Sequence, residues 1–372
     1  MAEQNRFEKL LASDLLKKIQ KKHGKAILTR ADDAKIQRVP RIPSGIFELD
    51  AALGGGFPAG RVNIVWGNKS TGKSVICTRT MGSAQKLCAN CCSGEFVDEE
   101  GEVHPCECGD FREHVCAYLD VEGTWDQEWA RAMGVHTDKV LLSVPEYAEQ
   151  TLDIAEALLR SGEVDFLVLD SIAFLTPAKE IEESSGKALQ AEQARVLGRG
   201  IRKFTAALNY MGNHFGRRPT IMFTNQIRMK IGMMFGNPET QPGGKASGFS
   251  ATTEVKTYGG STRAYKMDDV TGRPLYTDLA FRVEKNKSSP AKMEGEWRLV
   301  LADMEHKTKG DIYEEPRMVE IGIKIGLIEK NGSNWTCFGE KYRAKSLVVK
   351  RLLQDAEFAQ TYRHSLMTVL TA

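Results

Sequence analysis

Gly67-Asn68-Lys69-Ser70-Thr71-Gly72-Lys73-Ser74 is the stretch that decides the fold. It lies between an apolar run, residues 62–66, and a helical segment, residues 72–87. A glycine-rich loop in that setting turns its backbone N–H groups inward, and the start of the helix adds partial positive charge. We therefore predict a nucleoside triphosphate site, with Lys73 on the β- and γ-phosphates and Ser74 on Mg²⁺. The alternative is a chance glycine-rich turn.

Short apolar runs alternate with helical segments along the chain on both sides of that loop. The predicted strands are residues 62–66, 115–119, 140–144, 166–169 and 220–224. The predicted helices after the first are residues 125–134, 148–160 and 190–211. This alternation is typical of an α/β fold, and strands that are apolar throughout are buried on both faces. We therefore predict a mainly parallel twisted sheet flanked by helices.

Two of these strands end in carboxylates. Val164-Asp165-Phe166-Leu167-Val168-Leu169-Asp170-Ser171 places Asp170 where a phosphate-binding sheet holds Mg²⁺ through water. Tyr118-Leu119-Asp120-Val121-Glu122 ends a second strand with two acidic residues, at the edge where open α/β sheets bind ligands. Residues two apart share a face of a strand, so both are candidates for activating water. We expect Glu122 to be that base, and Asp120 stays open as the alternative.

The composition is that of an ordinary soluble globular protein. The chain has 372 residues, 41% of them hydrophobic and 27% charged, with a formal net charge of +2. That balance neither demands nor excludes nucleic acid. No apolar run approaches the ~20 residues of a membrane span, and the polar start is not a secretory signal. We expect a cytoplasmic protein with no membrane contact.

The chain is long enough for a large domain with smaller attachments. Residues 1–40 are predicted to form a helix and a polar connector. Residues 41–303 form the predicted ATPase core, and residues 304–372 a small α/β domain.

Six of the eight cysteines fall within residues 88–116. Five of them lie in a polar insertion predicted to span residues 87–114, and Cys116 follows it. In an unsecreted chain such crowding favours a metal over disulfides. Two thiolate pairs, Cys88 with Cys91 and Cys106 with Cys108, match the ligand set of a structural Zn²⁺ ribbon. Other residues that could serve as ligands are Cys92, His104, His114 and Cys116. A flexible loop of free thiols is the alternative.

Further motifs narrow the class of ATPase. They are Pro43-Ser44-Gly45, Leu49-Asp50-Ala51-Ala52-Leu53-Gly54, Trp129-Ala130-Arg131-Ala132-Met133-Gly134-Val135, Asp170-Ser171-Ile172-Ala173-Phe174-Leu175-Thr176-Pro177 and Asn225-Gln226-Ile227-Arg228-Met229-Lys230-Ile231-Gly232-Met233-Met234-Phe235-Gly236-Asn237-Pro238-Glu239-Thr240. With them the chain resembles the bacterial RecA recombinase family over about residues 15–364, interrupted mainly by the cysteine-rich insertion. The last motif is specific to bacterial RecA among P-loop ATPases.

The resemblance implies roles around the phosphates. Glu122 would activate water, and Gln226 would sense the γ-phosphate and report it to the loop that follows. Lys285 and Lys287 would reach the ATP of a neighbouring protomer and neutralise charge as an arginine finger does. Asp126 and Trp129 fall where the family contacts adenine. Trp129 replaces a tyrosine of typical members and offers a larger stacking face.

The resemblance also implies that two long loops, residues 177–189 and 227–250, hold single-stranded DNA. The positions that match DNA contacts are Arg195, Arg202, Arg228, Lys230, Phe235, Gly243 and Gly244. Basic side chains and backbone N–H groups grip phosphates without reading sequence, and Phe235 could wedge between bases. Without the resemblance, Arg228 and Lys230 would be read as solvated charge and Phe235 as part of a small hydrophobic plug.

The implied function is an ATP-dependent recombinase that forms a helical filament on single-stranded DNA and exchanges strands with homologous duplex DNA. The resemblance also implies that the N-terminal helix, within residues 1–40, docks on the neighbouring subunit of that filament. Alternatives are a RecA-type hexameric helicase, a branch-migration ATPase, and a regulator that binds ATP and DNA but scarcely hydrolyses ATP. The zinc module of such motors usually precedes the ATPase core, whereas this insertion interrupts it. The intact Lys73, Glu122 and Asp170 argue against the regulator.

Overall fold

The computed structural model describes residues 13–23, 39–94, 96–97, 103–182, 190–229, 239–240, 248, 250–259 and 265–371. The helices in these ranges are α1 (Asp14–His23), α2 (Phe47–Leu53), α3 (Lys73–Ala84), α4 (Gln127–Ala132), α5 (Ala148–Ser161), α6 (Ala178–Glu182), α7 (Gln190–Phe215), α8 (Glu315–Lys324), α9 (Lys345–Gln354) and α10 (Ala356–Thr371).

The strands of the nucleotide-binding half are β1 (Arg41–Ile42), β2 (Phe57–Pro58), β3 (Val62–Gly67), β4 (Phe96–Val97), β5 (Val103–His104), β6 (Cys116–Asp120), β7 (Val140–Ser143), β8 (Phe166–Asp170) and β9 (Thr220–Gln226). Those that follow are β10 (Arg228–Met229), β11 (Glu239–Thr240), β12 (Thr253–Gly259), β13 (Tyr265–Met267), β14 (Pro274–Asn286), β15 (Glu294–Val300), β16 (Ile328–Asn331), β17 (Asn334–Cys337) and β18 (Glu340–Tyr342).

The large sheet has the order β13-β14-β12-β3-β9-β8-β6-β7, and β15 pairs with β14. The pairings from β12 to β7 are parallel, whereas those that β14 makes are antiparallel. Parallel neighbours need helical crossovers, which is why helices cover both faces of the sheet. The predicted α/β architecture is confirmed.

Strand β8 shows how the sheet is buried. Phe166 and Val168 lie in the core on the side of α3, whereas Leu167 and Leu169 lie in the core on the side of α5 and α7. All four side chains are fully buried, which stabilises the fold by roughly 1.5–3 kcal/mol each. By the same alternation Asp170, the last residue of the strand, falls on the α3 side.

The C-terminal part has a core of its own around the sheet β16-β17-β18 and helices α8 to α10. Phe47 from α2 belongs to this core, so the first helix of the ATPase part packs into the C-terminal part. Arg317 bonds Glu48, and Arg363 bonds Glu314, along the same seam. Among the helices that the structure describes, none is long and apolar enough to cross a membrane.

Candidate nucleotide site and cysteine cluster

The loop from Gly67 to Gly72 joins β3 to α3, as predicted. A Cβ on Gly67 would lie 2.3 Å from the carbonyl oxygen of Thr257, and one on Gly72, whose φ is 83°, would lie 2.6 Å from the Trp297 ring. No larger residue fits at either position. No side chain caps the start of α3, so its first N–H groups face the loop.

Lys73 is buried at the start of α3 and donates from Nζ to the carbonyl oxygen of Asn68 at 2.6 Å. Burial lowers the pKa of Lys73, and the negative charges of Asp170 and Glu122 oppose that shift. Thr71 Oγ1 also donates to Asn68 O, at 2.8 Å. Ser74, Asn68, Lys69 and Ser70 are exposed, so the loop presents polar groups to solvent around a buried ammonium.

The two acidic strand ends predicted from the sequence meet Gln226 and the phosphate loop at one edge of the sheet. Asp120 pairs with Asp170 in the β6–β8 register, and Gly67 pairs with Gln226 in the β3–β9 register. Asp170 is buried, and both of its carboxylate oxygens accept hydroxyl hydrogens: Tyr118 OH donates to Oδ2 at 2.6 Å, and Thr224 Oγ1 donates to Oδ1.

The two candidate bases lie in different surroundings. Asp120 is buried, and its Oδ2 accepts the backbone N–H of Trp125 at 2.8 Å. Glu122 is exposed, and its Oε1 accepts the hydroxyl of Ser171 at 2.8 Å. An attacking water can reach Glu122, while the Asp120 carboxylate shapes the turn that carries it.

The predicted adenine contacts lie on and before α4. Asp126 is exposed and caps that helix, accepting the N–H of Trp129 at 3.0 Å. Trp129 is half-buried, packs against the α3-side core, and has the ammonium of Lys309 5.2 Å from its ring centroid. An ammonium over an indole is an attractive cation–π arrangement.

The remaining predicted site residues lie on or beyond β9 and β14. Gln226 is half-buried at the end of β9, and its N–H donates to the Asn225 side chain at 2.9 Å. Lys285 donates from Nζ to the carbonyl oxygen of Gly248. Lys287 is exposed, and its N–H donates to Thr252 O at 3.1 Å.

Part of the predicted DNA surface is described. Arg195 and Arg202 are exposed on α7, and Arg195 pairs with Glu192 at 3.0 Å. The backbone of Arg228 belongs to the hairpin of β10 with β11. Lys230, Phe235, Gly243 and Gly244 lie outside the described residues.

The cysteine cluster forms as the spacing predicts. The sulfur atoms of Cys88, Cys91, Cys106 and Cys108 all lie within 4.8 Å of one another. The Sγ–Sγ distances from Cys108 are 3.7 Å to Cys88 and 3.4 Å to Cys106. A Zn²⁺ tetrahedron with ~2.3 Å bonds separates sulfurs by about 3.8 Å, so the donor set fits that ion.

The other candidate ligands lie elsewhere. Cys116 is buried in β6, and His114 Nδ1 lies 2.9 Å from the carbonyl oxygen of Leu87. Burial raises the pKa of the Cys92 thiol to about 12, with nearby negative groups adding to the effect. All eight cysteines are free of disulfide bonds.

Arg112 joins the cysteine insertion to the large sheet. Its guanidinium donates two hydrogen bonds to Asp165, at 2.8 and 2.6 Å, and we call this bidentate pair the Arg112 clamp. Asp165 also pairs with Arg217 at 3.2 Å. The N–H of Arg112 points to the Cys88 sulfur at 3.4 Å, and its carbonyl oxygen accepts the N–H of Ala89 at 2.7 Å. One residue therefore contacts both the cysteine cluster and the residue that precedes β8.

Sequence reasoning missed the hydroxyls of Tyr118 and Thr224, the clamp of Arg112, and Lys309. The register of neighbouring strands places Tyr118 and Thr224 beside Asp170, and the sequence carries no signal for that register. The one available hint was that a polar side chain in a buried strand needs a hydrogen-bond partner.

A strand–loop–helix phosphate site at the carboxyl edge of a parallel sheet, with Asp170 and Glu122 beside it, defines a P-loop ATPase. The RecA N-terminal domain family matches residues 9–111 and 105–303. The chain belongs to the RecA family, and it is accordingly a DNA-dependent ATPase of homologous recombination that uses ATP and Mg²⁺.

Individual relatives agree over nearly the whole chain. The chain is 33% identical to Protein RecA of Cutibacterium acnes over 365 residues, covering 98% of this chain and 92% of the relative. It is 35% identical to Protein RecA of Nautilia profundicola, covering 94% and 85%. It is 36% identical to Protein RecA 1 of Myxococcus xanthus, covering 87% and 82%.

Proposed function

We propose that this chain polymerises on single-stranded DNA as a helical filament and catalyses homology search and strand exchange with duplex DNA. One observation carries the link between nucleotide and DNA. Gln226 is the sheet partner of Gly67, the first residue of the phosphate loop, and the chain passes from Gln226 into the second predicted DNA loop. A γ-phosphate that binds the Gln226 side chain therefore acts on the residue directly before that loop.

In this proposal the residues of the phosphate site have separate roles. The backbone of residues 67–74 and Lys73 hold the triphosphate, and Ser74 with Asp170 holds Mg²⁺, which neutralises phosphate charge when bound. Glu122 takes the proton of the attacking water. Asp126 and Trp129 hold adenine. Lys285 and Lys287 complete the site of the neighbouring protomer.

Among the described residues, one edge of the large sheet has no partner strand, and this edge supports assembly. Strand β7 ends the order of strands, and Leu141, Leu142 and Val144 on and after it are 53%, 46% and 61% exposed. An open edge with apolar side chains is suited to pairing with another chain. Head-to-tail contacts that do not close give filaments. This edge is our proposed contact for the N-terminal segment of a second copy.

DNA contacts in this proposal come from two sources. Arg195 and Arg202 supply exposed charge on α7, and Arg228, Lys230, Phe235, Gly243 and Gly244 supply the second loop. The expected binding is sensitive to salt and tolerant of sequence, because phosphates and base faces are contacted.

Strand exchange by Lys73→Ala tests the proposal. Loss of the ammonium should abolish ATP-dependent exchange and lower ATP turnover at least about 100-fold, because it removes a charge on the transferred phosphoryl group. Electron microscopy of the unmutated protein with single-stranded DNA and a slowly hydrolysed ATP analogue should show helical filaments. Closed hexamers would support the helicase alternative. Parental turnover by Lys73→Ala would contradict the site assignment.

We also propose that Cys88, Cys91, Cys106 and Cys108 hold a structural Zn²⁺. The distances among their sulfurs support this ligand set, and none of the four is taken up by a disulfide bond. Elemental analysis of purified protein should find one zinc per chain, and Cys106→Ser should lose it. Retention of zinc by Cys106→Ser, or its absence from the unmutated protein, would favour free thiols instead.

A further inference from the structure

Asp170 is held by a hydroxyl from each strand that flanks its own. Strand β8 lies between β6 and β9. Tyr118 of β6 donates to Oδ2 at 2.6 Å, and Thr224 of β9 donates to Oδ1. Asp170 and Tyr118 are each 4% exposed and Thr224 is fully buried, so water does not compete for these bonds.

The packing around Tyr118 and Thr224 does not require a hydroxyl at either position. The Tyr118 ring lies 4.6 Å from the Trp125 ring, a contact that phenylalanine would keep. Valine has nearly the shape of threonine at position 224. Burying a hydroxyl inside the sheet costs free energy unless it is hydrogen-bonded, and the bond that compensates each of these two hydroxyls is the one to Asp170.

The two bonds fix the plane of the carboxylate. Each carboxylate oxygen has about two acceptor sites. One site on each oxygen is occupied by a hydroxyl, and the other stays available. Mg²⁺ gives up its waters reluctantly and is usually held partly through them. A carboxylate that cannot rotate, with one open acceptor on each oxygen, is suited to receive those waters.

We propose that Tyr118 and Thr224 are positioning residues for Mg²⁺, acting through Asp170. The inference rests on the proposed metal role of Asp170 and adds two residues on neighbouring strands. Neither residue touches the ion. Their contribution is to hold the carboxylate of Asp170 in the orientation that the hydrated ion needs. Removing a partner of this kind typically weakens metal binding.

Mn²⁺ is the probe that tests this, because its binding is read by electron paramagnetic resonance without turnover. The full-length protein with ADP should bind Mn²⁺ about tenfold more weakly as Tyr118→Phe and as Thr224→Val. The matched control Thr224→Ser keeps the hydroxyl and removes a methyl group. It should bind Mn²⁺ as the unmutated protein does. ADP affinity without metal should be the same in all of them.

The other possible results of these measurements would overturn the proposal or the metal role of Asp170. Unchanged Mn²⁺ affinity in Tyr118→Phe and Thr224→Val overturns the proposal. An equal loss in Thr224→Ser and Thr224→Val also overturns it, because packing would then be the cause. If Tyr118→Phe fails to fold, the comparison of Thr224→Val with Thr224→Ser tests the proposal. Asp170→Asn is the separate check: if it binds Mn²⁺ normally, the metal role assigned to Asp170 itself is wrong.

Discussion

The phosphate edge of the sheet and the cysteine insertion gather their functional residues in different ways. Asp120, Asp170 and Gln226 are far apart in sequence, and buried parallel strands bring them together. The four cysteines lie within residues 88–108, and the regular elements among the described residues of that stretch are the two-residue strands β4 and β5. A packed sheet holds its side chains without a metal, whereas a small insertion with little core depends on cross-links to hold its shape.

The two regions are also joined to the same strand at opposite ends. Asp165, which receives the Arg112 clamp, precedes β8, and Asp170 ends it. Five residues of strand separate them by about 16 Å. The comparison therefore predicts that chemistry and stability are separable: changes at one end leave the other end unaltered.

Glu122→Gln should have the largest effect, and it should be confined to chemistry. We expect ATP turnover to fall by about 10²–10⁴-fold, because the amide cannot take a proton from water. Glu122 is exposed, so the melting temperature and the zinc content should stay at the parental level. Steady-state hydrolysis, calorimetry and elemental analysis check the three expectations. Substantial turnover would point back to Asp120 as the base.

Cys106→Ser should have the next largest effect, on stability. Loss of the proposed metal should lower the free energy of unfolding by about 3 kcal/mol or more, because the insertion loses its cross-link. Below the melting transition the KM for ATP should be unchanged. Denaturant unfolding and hydrolysis assays measure the two quantities. A raised KM for ATP in the fully folded variant would show that the two ends of β8 are coupled and not separable.

Arg112→Ala should have the smallest effect of the three. Asp165 would lose a bidentate partner but keep Arg217, so we expect a loss of roughly 1–3 kcal/mol in unfolding free energy. Lys139→Ala is the matched control. The pair of Lys139 with Glu113 is exposed on both sides, so its loss should change the unfolding free energy much less than the loss of Arg112 does. Equal effects of the two variants would mean that the clamp is an ordinary surface ion pair.

The fold class and the phosphate loop could be predicted because each has a local signal. Residues 67–74 carry their own glycines and lysine, and the alternation of apolar runs with helical segments predicts the parallel sheet. The cysteine spacing likewise predicted which four sulfurs meet. Local spacing was sufficient in these cases because neighbours in sequence are neighbours in space.

The rest depends on contacts between distant segments. Tyr118 and Asp170 are 52 positions apart, and Arg112 and Asp165 are 53. The register of strands and the path of a loop decide such contacts, and a single sequence does not record them. The C-terminal core shows the same limit, since Phe47 joins it from across the chain.

Asp165 has two arginine partners, and they come from different parts of the chain. Arg112 belongs to the insertion, whereas Arg217 follows α7 in the core. A chain with the insertion removed would still have Arg217 to neutralise that carboxylate. We therefore expect the nucleotide edge of the sheet to keep its arrangement in a chain without the insertion.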